Sequence, residues 1–464
     1  MMTEPSLVSG RAGPQLRRSP LPRRWPVASV EILILVAVNA VVIVGMWVRH
    51  GGIANIADAA TMINAAGQLT ALLGTYLALL GLLLVSRSPW LDQLFGTDRL
   101  IAWHRWVGFA TVWLLVAHTA FTTIGYAGIA RTDILGEWWA LLGTYPFVLM
   151  ATVGLVMMVV LAATSVRAAR RSLSYETWYG IHLYGYLAVA LAFAHELAVG
   201  TDFASDTLAQ AYWIALYVVV IACLLAFRVG QPLRLFARHR FRVANLVEET
   251  PGVISVYITG RNLDTLPVRA GQFFVFRFLS GGGWWRPHPF SLSAMPNTQF
   301  LRITVKRDGD DTDAMARLRI GTPVFLEGPY GAFTGAARTQ PGVLLIAGGI
   351  GITPLRALME ELSGRRNEVV LLYRARSWDQ VVFKDEIDSL MRSRHASVHY
   401  LVGQRRPDRQ DDLFSPQSIE RMVPDIDRRD VYVCGPESMI RHVQRSVRAL
   451  GIPRKQIHAE RFTF

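Results

Sequence analysis

Six apolar runs before residue 230 constrain this chain more than any other feature; they lie at about 29–48, 63–86, 101–124, 145–166, 178–199 and 209–229. Each is near or above the roughly 20 residues that an α-helix needs to cross a bilayer. Lipid offers no partner to a bare backbone, so such runs fold as helices. The third run, IAWHRWVGFATVWLLVAHTAFTTI (101–124), carries His104 and His118. The fifth, WYGIHLYGYLAVALAFAHELAV (178–199), carries His182 and His195. Ionisable residues inside a span are costly and mark function.

The basic residues set an orientation. The net charge of +13 does not indicate nucleic acid, because the arginines flank apolar spans as the positive-inside rule expects. Arg87 and Arg99 follow span two, Arg167, Arg170 and Arg171 follow span four, and Arg228, Arg234, Arg238, Arg240 and Arg242 follow span six. The remaining loops carry few. This pattern predicts a multi-pass protein of the cell membrane with both termini in the cytoplasm. His104 and His182 then lie toward the inner leaflet, His118 and His195 toward the outer. Residues 1–28, rich in Pro, Ser, Gly and Arg, read as a disordered basic cytoplasmic tail. Its Arg-Arg pairs raise a twin-arginine signal, against which stands the lack of a small-residue cleavage site after the first run. Two cysteines, Cys223 and Cys434, supply no disulfide framework.

Fourteen residues span about 21 Å of helix and return to within about 40° of the same face. His104 and His118 therefore share one stripe. Matching by depth pairs His104 with His182 and His118 with His195, and each pair offers two axial nitrogens to a haem iron. A lone membrane histidine is as readily a helix-to-helix hydrogen bond or a proton relay; four matched by depth favour two stacked haems. Thirteen residues on an ideal helix leave His195 about 140° from His182. Span five is thus expected to bend, to bulge or to turn its rings differently, with Gly185 permitting a distortion. The His pairs are the one internal repeat read. Glu196, beside His195, either tunes the outer site or faces the membrane interface, and the interface is the expectation.

Beyond residue 236 the pattern changes. Short β-branched and aromatic runs broken by Gly and Pro predict a small barrel over 236–338. Strands and helices then alternate over 340–464, which predicts a parallel sheet covered on both faces. Within the barrel, RPHPFSLSAMP (286–296) places a rigid strand edge, an aromatic ring and a hydroxyl together, suited either to a flavin ring or to an ordinary edge strand. Lys306, beside a glycine turn, suits a pyrophosphate. LLIAGGIGITPLRALMEEL (344–362) is a strand, a glycine turn and a helix opening, which favours an anion; it lacks the GxGxxG fingerprint, so a standard Rossmann assignment is not licensed. Arg374, Arg376 and Ser377 end the next strand and suit a 2′-phosphate or a solvated loop. VYVCGPESM (431–439) brings Cys434 and Gly435 to a strand end on the same crevice, and a buried structural Cys is the alternative.

In this order the motifs WHR…AH, H…AH, HPFSLS, GGIGITP, VCGP and a terminal aromatic resemble the ferric reductase and NADPH oxidase superfamily of transmembrane flavocytochromes b, in a bacterial form, over roughly 60–464. The resemblance implies a multidomain membrane protein: a six-helix di-haem domain over 29–230, a ferredoxin-reductase-like FAD barrel and an α/β NAD(P)H-binding domain. It implies that a thirteen-residue gap is normal in span five. His288, Pro289, Phe290 and Ser291 would contact FAD, with Ser291 near the flavin N5, and Phe464 would lie over the flavin. Gly349, Gly351, Thr353 and Pro354 would meet the nucleotide, and Cys434 would sit near the nicotinamide. The expected reaction carries electrons from NAD(P)H, NADPH favoured, to an extracytoplasmic ferric chelate. Alternatives are an oxidase making superoxide from oxygen and an electron-donor subunit for a protein partner. Oxidases of this superfamily carry an Arg and a second His near the outer haem; by approximate register Gln68 and Thr122 stand there, which argues against dedicated superoxide production.

Overall fold

The computed structural model describes residues 28–166, 170, 172–200, 206–280, 285–362, 368–394, 396–404 and 412–460. The tail 1–27, Arg167, Arg171 and Phe464 lie outside the described residues. The chain divides into two compact units at Val229 and Gly230.

In the first unit, six helices are long and apolar enough to cross a membrane. They are α1 (Ala28–Arg49), α2 (Ala59–Leu84), α4 (Thr97–Ala130), α6 (Val148–Ser165), α7 (Tyr175–Val199) and α8 (Thr207–Leu224), the last prolonged by a π-helical stretch, Leu225–Gly230. Two short helices accompany them, α3 (Pro89–Phe95) and α5 (Ile134–Thr144). The sequence pattern did not announce either. Pro at the first position starts α3, and Gly96, at φ +79°, ends it, a backbone region that suits glycine. Helix α4 then runs 34 residues, longer than the stretch read from hydropathy alone. Exposed Val, Leu, Ile and Trp cover α1, α4, α6 and α7, the surface lipid demands.

The second unit opens with α9 (Gln231–His239) and six antiparallel strands. Strands β1 (Arg242–Thr250), β2 (Val253–Thr259) and β5 (Leu301–Lys306) form one sheet, and β4 (His288–Ser291), β3 (Phe273–Phe278) and β6 (Val324–Tyr330) the other. Bridges Arg242↔Pro323 and Leu292↔Ile303 join the sheets, giving the predicted barrel. Its interior is Val256, Ile258, Phe274, Phe276, Ile303 and Leu326, all fully buried. A short helix, α10 (Asp310–Met315), lies between β5 and β6.

Five parallel strands follow: β7 (Gly342–Gly348), β8 (Val369–Ala375), β9 (Ser397–Val402), β10 (Arg429–Cys434) and β11 (Ile457–Glu460), in the order β11-β10-β7-β8-β9. Their connections carry α11 (Ile352–Leu362), α12 (Lys384–Arg394), α13 (Pro416–Met422) and α14 (Glu437–Ala449). Alternate residues of β7 feed two cores. Val343, Leu345 and Ala347 pack with Leu355, Leu358 and Ile387 from α11 and α12. Leu344 and Ile346 pack with Ile419, Ile440 and Val443 from α13 and α14. Helices therefore cover both faces. The strand order is that of the doubly wound Rossmann arrangement, reached without the GxGxxG motif. Sheet order is set by which strand returns beside β7, and the turn sequence alone does not encode it. The order reverses between β7 and β10, where such sheets bind ligands.

Candidate functional site

Two of the four membrane histidines are fixed by glycine carbonyls. Helices α2 and α4 run antiparallel along one another. Gly67, Gly74 and Gly81 of α2, seven residues apart and buried, form the seam. A β-carbon on Gly67 would come within 2.6 Å of the Thr122 hydroxyl, and one on Gly74 within 2.9 Å of Leu115. This close approach lets His118 Nδ1 donate to Gly67 O at 2.9 Å and His104 Nδ1 donate to Gly81 O at 2.9 Å. A ring that donates from Nδ1 to a carbonyl presents Nε2 as its free lone pair, the arrangement second partners impose on metal-bound histidine. The spacing of Gly67 and Gly81 equals that of His104 and His118, a second repeat beside that of the histidines.

The other two histidines come from α7. The ring centroids of His104 and His182 are 5.9 Å apart, edge to face. A metal–imidazole bond is about 2 Å, so one metal between two rings holds the centroids about 6 Å apart. His118 and His195 line one cavity with Gln68, Thr122, Trp138 and Tyr126. The Nδ1 atoms of His182 and His195 are buried without a hydrogen-bond partner among the described residues. These observations fit a haem in each pair, with Nε2 of His104 and His118 as fixed ligands. Helix α7 is unbroken from Tyr175 to Val199. It carries no bulge, and Gly185 packs closely on Leu161.

Glu196 corrects an expectation. It does not face the interface: it lines the same cavity as His118 and His195, accepting hydrogen bonds from Thr75 Oγ1 at 2.7 Å and Tyr217 OH at 2.6 Å. A carboxylate near the end of a span is compatible with either place, and only the packing of α2 and α8 decides. Gln68 and Thr122 are also engaged. Trp47 Nε1 donates to Gln68 Oε1 at 3.1 Å, and Thr122 Oγ1 lies 3.2 Å from His118 Nδ1.

In the barrel, His288, Pro289, Phe290 and Ser291 are the whole of β4, paired with Phe273–Phe276 of β3. Ser291, the last residue of β4, is 4% exposed. His288 and Phe290 stack at 13°. Lys306 is exposed at the end of β5.

At the switch point the two loops interlock. A β-carbon on Gly351 would sit 2.3 Å from Cys434 O, so only glycine lets the β7 turn touch the β10 turn. Gly349 has φ +54° and open space where a side chain would stand, a cradle for a ligand that approaches backbone closely. Thr353 Oγ1 donates to Ile350 O at 3.0 Å and locks the turn, with Pro354 buried in the first turn of α11. Cys434 is fully buried, and burial pushes its thiol well above the ordinary value, so it stays protonated and uncharged. Gly435 completes the turn at φ +158°. On β8, Arg374 Nη1 donates to Leu401 O at 2.8 Å and to Ala375 O, while Arg376 is exposed. The geometry separates the two arginines grouped by sequence.

Residues 70–193 match the family described as ferric reductase like transmembrane component, and residues 345–445 match the oxidoreductase NAD-binding domain. The first interval contains all of the His pairs but His195, and the second contains the interlocked glycine turns. Together they define the class: a membrane domain of ferric reductase type joined to a nicotinamide-dependent reductase domain. The two matches are consistent with the ferric reductase and NADPH oxidase-type superfamily. The chain is 30% identical over 233 residues to a flavohemoprotein of Pseudomonas putida, covering 48% of this chain and 58% of that one. A flavohemoprotein of Chromobacterium violaceum is 30% identical over 245 residues, covering 48% and 60%. The chain thus spans about three fifths of the length of these relatives. Among solved structures, the FAD/NAD-binding domain of a nitric oxide dioxygenase from Vibrio cholerae is similar at TM-score 0.40 and 24% identity, covering 48% of this chain and 99% of that one. A ferredoxin NADP+ reductase from Neisseria gonorrhoeae is similar at 0.42 and 19%, covering 48% and 99%.

Proposed function

We propose that the chain is a transmembrane oxidoreductase that carries electrons from cytoplasmic NAD(P)H to an extracytoplasmic ferric chelate, with FAD and two b haems as resident cofactors. FAD, when bound, links two-electron nicotinamide chemistry to the one-electron chemistry of haem iron. One observation carries the reading: His104 and His118 each commit Nδ1 to a glycine carbonyl, leaving Nε2 for a metal at two depths of one helix. His182 and His195 supply the opposing ligands. Ser291 and Phe290 hold the flavin, with Phe464 as its expected cover. Gly349, Gly351 and Thr353 cradle the nucleotide, and Arg376 meets a 2′-phosphate. Gly435 and the backbone beside Cys434 shape the nicotinamide end, where a neutral, buried thiol excludes water without adding charge.

A reductase is preferred to an oxidase because the outer cavity holds Gln68 and Thr122 where superoxide producers of the superfamily carry Arg and His. Both are spent on Trp47 and His118. The test is turnover of purified protein with NADPH and a ferric chelate, without oxygen. Ferrous product is expected, insensitive to superoxide dismutase when air is admitted. Dismutase-sensitive cytochrome c reduction with no chelate reduction would establish the oxidase instead. Replacing His104 or His182 removes one b-type absorbance; an unchanged spectrum would sink the ligand assignment.

A further inference from the structure

Two arginines and two glutamates tie the barrel to the nucleotide domain, and none of them has a role in the sites described above. Arg302, on β5, is 3% exposed and grips Glu386 of α12 through both nitrogens, at 2.7 and 3.0 Å. Glu386 also receives Arg356 Nη2 at 2.9 Å, from α11. Arg356 reaches Glu360 at 2.5 Å, one turn further along the same helix. Glu360 then accepts from the Met295 backbone N at 2.9 Å, back in the barrel. The ring closes at Ser293, whose carbonyl accepts from Arg302 at 2.9 Å and from Arg356 at 3.5 Å. Beneath it the Phe383 ring lies 4.5 Å from the Arg302 guanidinium, its backbone held at φ +62°. A bulky residue at positive φ is uncommon and persists only where its surroundings fix it.

The ends of this ring are close in sequence to both candidate sites. Ser293 follows Ser291 by two residues, and α11 begins directly after the Gly349–Gly351 turn. Four charges, two of each sign, cancel there: both arginines are buried, Glu360 and Glu386 keep 20% and 35% side-chain exposure, and removing a glutamate leaves a buried guanidinium uncompensated. A non-specific contact has no reason to desolvate two guanidinium ions. Fixing one orientation is such a reason, because a reaction between two bound partners loses up to about 100-fold for an error of about 1 Å.

We infer that Arg302, Arg356, Glu360 and Glu386 are positioning residues that lock the nucleotide turn at a fixed distance from the flavin strand, so that hydride passes without a domain-closing step. This rests on the flavin and nicotinamide sites proposed above. The full chain, purified with FAD, tests it through Glu386→Ala and Arg302→Lys, the second keeping the charge but losing the two-pronged grip if the first fails to fold. Hydrogen exchange at the Met295 amide, measured without nucleotide, is expected to rise in both. Flavin reduction by NADPH, followed as bleaching of the flavin band, is expected to slow about tenfold with KM changed less than about twofold. The rate should become sensitive to added viscogen, whereas the wild type is insensitive. Wild-type rates and no viscogen effect in both variants would overturn the inference. If NADPH fails to reduce even wild-type flavin, the functional reading falls, and the exchange measurement still decides the lock: unchanged protection at Met295 refutes it.

Discussion

Replacing Gly67 with alanine tests whether the glycine seam of α2 orients the outer histidine. The added β-carbon lands 2.6 Å from the Thr122 hydroxyl and 2.9 Å from the Thr122 backbone N. A side chain can rotate away, but a backbone nitrogen cannot. Restoring ordinary separation of about 3.5 Å requires α2 and α4 to part locally by roughly 0.6 Å. The 2.9 Å bond from His118 Nδ1 to Gly67 O then stretches to the edge of hydrogen bonding. Overpacking of this kind costs about 1–3 kcal/mol, and the lost hydrogen bond about 0.5–1.5 kcal/mol more. Freeing the Nδ1 of a metal-bound histidine lowers metal affinity about 10- to 100-fold. The assay is haem content and the redox-difference spectrum of purified protein, beside Gly45→Ala, where a β-carbon meets nothing within 4 Å. The outer haem of Gly67→Ala should be substoichiometric or shifted, with the inner haem and the control intact. Full occupancy of both haems with wild-type spectra would refute the reasoning.

Two further outcomes follow from the soluble unit. Arg376→Gln should raise KM for NADPH about tenfold or more while leaving NADH unchanged, since a charge-assisted bond contributes about 1.5–3 kcal/mol; Arg374→Gln should instead destabilise the β8–β9 edge, and equal cofactor effects at both positions would sink the division. Burial alone would raise the Glu386 carboxyl, but its bonds and charge pairing with Arg302 and Arg356 outweigh that and hold it below its usual value. Asp430 behaves alike: burial is outweighed by His458 and the Gln340 and Thr339 amides. Groups depressed on folding stabilise above the unfolded pKa and lose that contribution as pH falls through the folded one. Melting temperature should therefore drop once pH passes below the ordinary carboxylate range, and Glu386→Gln should flatten that acid limb.

Much of this architecture was legible because its signals are local. Hydropathy finds spans without knowledge of packing, and the six runs agree with six helices. Strand alternation and glycine turns likewise announced barrel and sheet. What escaped depends on partners distant in sequence. Glu196 reads as an interfacial carboxylate until Thr75 and Tyr217 close around it. Nothing local in Leu301–Lys306 marks Arg302 as buried, and its partner Glu386 stands 84 residues on. Arg374 stands within β8 and bonds a carbonyl of β9, whereas Arg376 lies just past the strand's end at Ala375 and is exposed, so two arginines close in sequence meet different surroundings. The glycine repeat of α2 has the spacing of the histidines, but what small residues offer there is a backbone carbonyl, which no pattern of side chains displays.

The nucleotide turn allows that last point to be tested where no metal is involved. Gly349 and Gly351 stand two residues apart and are glycine for different reasons. Gly349 is held at φ +54° with free space around it, so its constraint is conformational. Alanine there costs about 1–2 kcal/mol for the left-handed backbone, and asparagine, which tolerates that region, should cost less. Gly351 has no such dihedral, but its β-carbon would lie 2.3 Å from Cys434 O and 2.7 Å from Gly435 N. Both obstacles are backbone, so the β7 and β10 turns must separate whatever residue replaces it. Gly351→Ala should therefore destabilise the unit more than Gly349→Ala and weaken NADPH binding, and Gly351→Asn should bring no relief. Thermal melts of the four single variants give the ranking. Should Gly351→Ala melt at or above Gly349→Ala, close approach of the two turns would not be what keeps glycine at 351.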